Sequence, residues 1–183
     1  MPAPTHISLS ELTGAYVLDA AHSRVGFVGR HTLSTRVRGE FEEYEGSAYL
    51  FGDRPSKSSA RLTIRATSLR THQRQRDKQL QGTFLDTDNH PFIIFDSTEV
   101  RPLGETTYEV TGDLTMRGVT KPVTLHVELT AAETDARGDL RVGFLGKATI
   151  NRKDWGLNWN AATSVLVSPK VTLEFDVIAV RQP

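Results

Sequence analysis

The sequence predicts an all-β chain of eight long antiparallel strands with one short helix. Three observations carry this expectation. Apolar residues recur at every second position along most of the chain, the mark of half-buried strands. The connectors are mostly short and carry turn chemistry, which favours antiparallel neighbours. Only the stretch 69–90 breaks the series, and within it RQRDKQLQG reads as a short helix ending at Gly82.

Each element follows from its own pattern. Segment 23–31 puts Val25 and Phe27 together and ends at His31. Segment 36–51 changes phase: Val37 and Phe41 share odd parity, whereas Tyr44, Ala48 and Leu50 share even parity. One extra residue near Glu42–Glu43 restores the facing, as a β-bulge or as a turn dividing the segment. Segment 60–68 turns Leu62 and Ile64 inward and Arg61 and Arg65 outward. Segment 91–101 (PFIIFDSTEVR) is more apolar and is expected to be covered on both faces. Segment 107–116 groups Tyr108, Val110, Leu114 and Met116, and 119–130 groups Val119, Val123, Leu125, Val127 and Leu129. Segment 139–150 points Leu140, Val142, Phe144, Ala148 and Ile150 inward. Segment 165–177 is the clearest, with Val165, Val167, Val171, Leu173, Phe175 and Val177 on one face against Lys170, Thr172, Glu174 and Asp176. Two architectures accommodate such strands, a sandwich or an up-and-down barrel, and the latter can hold one small ligand. The inward sets carry few charges, so they form either a filled core or the wall of an apolar cavity.

Composition bounds the chemistry. The chain has 183 residues, with 22 basic and 22 acidic side chains, and no cysteine. That length suits a single core. Neutrality argues against a general nucleic-acid binder. Lack of cysteine excludes disulfides, thiol nucleophiles and iron–sulfur clusters. The first fifteen residues have neither a basic nor an apolar leader region, so they read as a flexible tail (1–15) on a cytoplasmic protein. A mature chain already stripped of its leader is the alternative.

Searching for catalytic constellations yields no GxSxG, GxxxxGK[ST], GxGxxG or HExxH. The six histidines are scattered and form no close ligand pair, so neither a metal nor a cofactor is expected. His31, ending an inward run, is a candidate contact for a ligand head group, or else a satisfied structural histidine. His22, after Asp19, reads as a turn-fixing hydrogen bonder. Arg61, Arg65, Arg70, Arg74, Arg76 and Lys78 cluster locally. They could attract a pyrophosphate or an anionic membrane surface. The alternative is a solvated face balanced by Glu40, Glu42, Glu43 and Glu45, and Arg61 and Arg65 are assigned to it. Trp155 and Trp159 flank a turn and either close one end of a pore or simply pack.

Six motifs in order then point to a family. YVLDAAHSRVGFVGRH (16–31), VRGEF (37–41), SLRTHQRQRDKQL (68–80), NHPFIIFDS (89–97), GDLTMRGVTKPVTL (112–125) and INRKDWGLN (150–158) resemble those of the YceI-like proteins. The resemblance spans roughly residues 16–180. It implies a lipocalin-like extended barrel of eight antiparallel strands, with a short helix near residues 72–82, as one domain over 16–183. It further implies an internal pore holding a polyisoprenoid, isoprenoid quinone, fatty acid or fatty amide, often in a homodimer, and no established reaction. Gln79 and Leu85 depart from the family pattern, which typically has histidine and phenylalanine there.

The expected ligand-binding residues are Phe27, His31, Phe41, Ile64, Arg76, Phe84, Ile93, Phe95, Leu114, Leu125, Phe144, Trp155, Trp159, Leu173 and Phe175. Binding would be driven by apolar burial with one polar end held at the mouth. Partners would be the lipid, with peripheral membrane contact allowed and nucleic acid excluded. Two other readings stay open. One is a small lipid-modifying enzyme with His31 as general base. The other is a non-binding stress-response protein with a filled core.

Overall fold

In the computed structural model, which describes residues 8–30, 36–157 and 168–183, alternation resolves into a closed antiparallel barrel. The strands are β1 (Gly14–Leu18), β2 (Arg24–Arg30), β3 (Arg36–Phe41), β4 (Tyr44–Leu50), β5 (Ser59–Arg65) and β6 (Leu69–Arg70). They continue with β7 (Phe92–Pro102), β8 (Thr107–Met116), β9 (Val119–Thr134), β10 (Leu140–Asn151) and β11 (Lys170–Arg181). Eight of them close the ring, in the order β1-β4-β5-β7-β8-β9-β10-β11 and back to β1. The remaining three extend it, because β2 pairs with β11, β3 with β2, and β6 with β3. Strand pairs β1/β2, β4/β3 and β5/β6 therefore each occupy one barrel position, split by a break.

Each break keeps its backbone groups paired, as buried amides and carbonyls require. Between β1 and β2, the Asp19 amide donates to Ile178 O, and the Ile178 amide donates to Ser23 Oγ. Between β3 and β4 the phase change at Glu42–Glu43 is a division, with the Glu42 amide donating to Ser68 O and the Arg65 amide to Glu43 O. The third break was not anticipated. Segment 60–68 ends as a strand at Arg65, and a 3₁₀ turn (Ala66–Ser68) precedes β6. The buried Ser68 hydroxyl donates to Arg65 O at 2.7 Å and stabilises that turn.

Three other expectations need correction. Residues 8–15 are not a free tail: Leu12 and Tyr16 are buried, and the Tyr16 hydroxyl donates to Leu12 O at 2.7 Å. Segment 91–101 is not covered on both faces, because Phe92 is exposed beneath the Arg65 guanidinium while Ile93 and Phe95 point inward. A register shift between Ser97 and Glu99 then returns Val100 to the interior. Finally, the helix does not stop at Gly82. The segment α1 (Arg74–Gln79) runs into a π-helical turn over Leu80–Phe84.

Apolar packing divides along the barrel. At one end Leu12, Tyr16, Leu140, Val142 and Ala179 form a plug. The rest of the interior belongs to a larger cluster reaching from Val25 and Phe27 to Leu80, Phe84 and Trp155. Within it, three aromatic rings occupy the space above inward glycines on adjacent strands. A Cβ at Gly146 would lie 1.7 Å from Phe175 Cζ, one at Gly39 2.3 Å from Phe27 Cζ, and one at Gly112 2.5 Å from Phe95 Cζ. The missing side chains are recesses in the wall, and the rings fill them instead of the lumen.

Gly146→Val should therefore displace the Phe175 ring and lower stability by about 1–3 kcal/mol. Gly82→Ala, whose added methyl meets nothing within 4 Å, should raise stability by roughly 0.5–1 kcal/mol. Urea denaturation of both variants checks the pair; equal effects of one sign would refute the recess argument.

Asp19 supplies a second prediction. Its carboxylate accepts from Arg141 at 2.5 Å and from His22 Nδ1 at 2.8 Å, the turn-fixing contact anticipated for His22. The Arg141 hydrogen bond, opposed by burial and aided by His22, holds the Asp19 pKa below its ordinary value. The folded value lies below the unfolded one, so this stabilisation is complete above about pH 4 and is lost as pH falls through the folded value. The unfolding temperature of Asp19→Asn should accordingly fall less steeply on acidification than that of the parent. Parallel slopes below about pH 4 would count against the link.

Candidate internal binding site

A cavity of about 310 Å³ occupies the barrel interior. Its lining runs from Leu12, Tyr16 and Val100 near the plug to Met116, Ile150 and Leu157 at the opposite end. Strand β10 links the two ends. Its lining residues Phe144 and Ile150 lie six residues apart, roughly 20 Å along the strand, so a space of this volume is long relative to its width. Inward positions on consecutive strands build this wall because side chains alternate across a pleated sheet.

All eleven apolar residues anticipated from the sequence line the cavity: Phe27, Phe41, Ile64, Phe84, Ile93, Phe95, Leu114, Leu125, Phe144, Leu173 and Phe175. The strands bring together residues as distant in sequence as Phe27 and Phe175, on strands joined through the Leu173–Phe27 pair. The Phe27 and Phe41 rings meet at a tilt of 50°, with 5.9 Å between centroids.

The polar and aromatic candidates fare differently. Arg76 does not line the cavity: its guanidinium donates to Thr71 Oγ1 at 2.8 Å and to Thr71 O at 2.6 Å. Asp77, beside it, accepts from the Thr71 amide at 2.8 Å and the Thr71 hydroxyl at 2.5 Å. Both residues thus anchor the start of α1 to the end of β6. Trp155 is buried but does not line the cavity, and its indole nitrogen donates to Leu114 O at 2.8 Å. His31 and Trp159 lie outside the described residues.

The basic cluster is largely spoken for. Arg65 pairs with Glu43 at 3.1 Å, Arg70 with Glu42 at 3.6 Å, and Arg61 with Asp96 at 3.6 Å. These exposed pairs contribute little stability individually, but they neutralise the face. Among the described residues no group of three or more histidines and carboxylates is placed to hold a metal ion.

Several wall residues escaped the sequence reading. Tyr16 belongs to a strand too short to assert itself beside a presumed tail, although Tyr16 and Leu18 do share one face. Leu80 and Leu85 come from the α1–π turn, whose underside forms part of the wall. Of the two departures from the family pattern, Leu85 lines the cavity and Gln79 does not. Arg152, in the INRKDWGLN motif, reads from sequence equally as a structural ion-pairing residue or as a head-group contact. It lines the cavity at 2% exposure, donating from Nη1 to Leu157 O at 2.6 Å and from Nε to Ser168 O at 3.1 Å. Burial lowers its pKa from the ordinary arginine value, yet a guanidinium stays charged in a protein.

Residues 16–179 match the family described as YceI-like domain. A UPF0312 protein of Pectobacterium carotovorum is 35% identical over 177 residues, covering 94% of this chain and 90% of that protein. One from Pseudomonas paraeruginosa is 34% identical over 165 residues, covering 90% and 84%. Among solved structures, a Campylobacter jejuni YceI protein superposes with a TM-score of 0.73 at 26% identity, covering 91% of this chain and 97% of that one. Burkholderia cenocepacia BcnA reaches a TM-score of 0.78 at 23% identity over 88% and 98%. A polyisoprenoid binding domain from Saccharophagus degradans reaches 0.69 at 19% identity over 92% and 99%. The barrel, its internal cavity and these matches together make the chain a member of the YceI-like family.

Proposed function

We propose that the protein binds and carries a long-chain apolar lipid in its barrel: a polyisoprenoid, an isoprenoid quinone, a fatty acid or a fatty amide. The observation that carries this reading is the long cavity walled by eleven anticipated apolar side chains. Its volume falls at the lower end of the roughly 300–1,000 Å³ typical of small-molecule sites. Its narrowness favours an extended chain over a compact ligand. Affinity would come from apolar surface removed from water, at about 25 cal/mol per Å².

Family membership supports the reading, as does a structural neighbour described as polyisoprenoid-binding. The cavity argues against the filled core that a non-binding role would require. The enzymatic alternative rests on His31, which lies outside the described residues, and no observation favours it.

Native mass spectrometry of gently purified protein, followed by organic extraction, tests the proposal. Co-purified lipid, or uptake of an added isoprenoid quinone or fatty acid, is the expected result. Absence of both would sink it. Filling the wall should also weaken binding: Leu125→Trp should lower affinity for a fluorescent fatty-acid probe about tenfold, because excluding roughly 60 Å² of buried ligand costs about 1.5 kcal/mol. An unchanged affinity with an unchanged far-ultraviolet circular dichroism spectrum would place the ligand elsewhere.

A further inference from the structure

We propose that the ligand enters and leaves the cavity sideways, through a gap between β5 and β7 at the level of the plug, and that residues 51–58 form the strap that gates it. This rests on the lipid-binding reading of the cavity and names how that site is filled.

The gap begins where a ladder stops. β5 pairs with β7 from Arg65–Phe92 to Arg61–Asp96. Beyond Asp96, β7 runs on to Pro102 without a strand on that side. The next contact is made by a side chain, the Ala60 amide donating to Ser97 Oγ at 2.8 Å. A register shift between Ser97 and Glu99 lies at the same level. Here β7 is faced by a 3₁₀ turn (Pro55–Lys57) instead. Among the described residues no backbone hydrogen bond joins 53–57 to β7. The strap is fixed only at its root, where the Phe51 amide donates to Ser58 Oγ at 3.0 Å and the Gly52 amide to Thr13 Oγ1 at 2.9 Å.

The lining of the cavity reaches this gap. Phe51, Pro55, Ser58 and Ala60 border the cavity on the strap side, and Val100 borders it on β7. Exposure rises in the same direction. The inward residues of β5 go from Ile64, 7% exposed, through half-buried Leu62 to exposed Ala60. An alanine that faces the lumen is exposed only where water reaches the lumen. The serines of the lining gather there too: Ser47, Ser58 and Ser59 all lie on β4, the strap or β5. Hydroxyls belong at a wet mouth and not deep in an apolar lumen. At the opposite end the described residues form a roof of buried Leu80, Phe84, Leu85 and Leu157. The helix beside that roof is tied to Thr71 by the Asp77 carboxylate.

Opening at the gap breaks few interactions. The strap has no ladder to lose, and residues 53–57 are exposed apart from half-buried Pro55. Segments held by so few buried contacts open at the low end of the stability range. A gate of this kind sets how fast the ligand exchanges and leaves the equilibrium itself unchanged.

The chain has no cysteine, so introduced thiols can be joined selectively. In Lys57→Cys combined with Thr98→Cys, a short bifunctional methanethiosulfonate should tether the strap to β7, as mass spectrometry would verify. Stopped-flow uptake and release of a fluorescent fatty acid should then both slow about tenfold, with affinity changed by less than about twofold. Reductant should restore both rates in the same molecules, which separates gating from misfolding. Pro55→Gly, which loosens the strap, should speed both. Unchanged rates after tethering would overturn the proposal. Failure of the link to form would do the same, because the strap would then not lie against β7. A monofunctional label on Gly82→Cys, at the roofed end, should leave the rates alone; slowing there would put the mouth at that end instead. If the parent protein takes up no fatty acid, it is the lipid-binding reading that fails, and the gate with it.

Discussion

Closure of the sheet by its first strand is the constraint on which the cavity depends. β1 contributes only five residues and meets β11 over three residue pairs, Tyr16–Arg181, Val17–Val180 and Leu18–Ala179. Its other edge takes β4 over four pairs, Gly14–Leu50 to Val17–Ser47. Remove it, and β4 and β11 become open edges with unpaired backbone groups, while the inward face loses one wall. Tyr16 explains why so short a strand suffices. Its ring is 1% exposed within the plug, and its hydroxyl reaches back to Leu12 O. Closure of the ladder and sealing of one end are thus carried by the same side chain.

A closed barrel of this size would ordinarily be filled by its own side chains. Here the largest inward rings take up room in the wall. Phe27 covers Gly39, Phe95 covers Gly112 and Phe175 covers Gly146. The arrangement gives the motif Val-x-Gly-x-Phe at 37–41 a physical meaning. Val37 and Phe41 flank the recess on the inner face, and Gly39 is the recess. An alanine at any of the three glycines would push a ring towards the lumen, where the volume it needs is the volume a ligand would use.

Much of this was legible as alternation. The inner faces of β8 to β11 could be read residue by residue, because each strand is long enough for period two to dominate and its outer face is mostly polar. Sequence reading lost accuracy where strands are short or broken. β1 was hidden because GAYVL offers only two inward side chains, and β6 because two residues cannot display a period. Phe92 misled by composition: an apolar residue on the outer face, covered in part by Arg65, looks the same in sequence as one covered by a second layer. The candidate site divides along the same line. Its apolar wall followed from strand parity, whereas the placement of the arginines did not, because Arg76 lies in the short helix α1 and Arg152 in a 3₁₀ turn, where direction is set by the groups they bond.

Electrostatic neutrality takes on a different meaning once these placements are known. The basic residues between 61 and 78 that looked available for an anionic group are mostly matched on the outside of the barrel, Arg65 to Glu43 and Arg70 to Glu42. Such pairs cross from β5 and β6 to the break between β3 and β4, so they also hold two of the interrupted strand positions side by side. Charge on the exterior is therefore spent on the seam between strands and is screened by water. Arg152, buried inside the same barrel, is instead held by Leu157 O and Ser168 O.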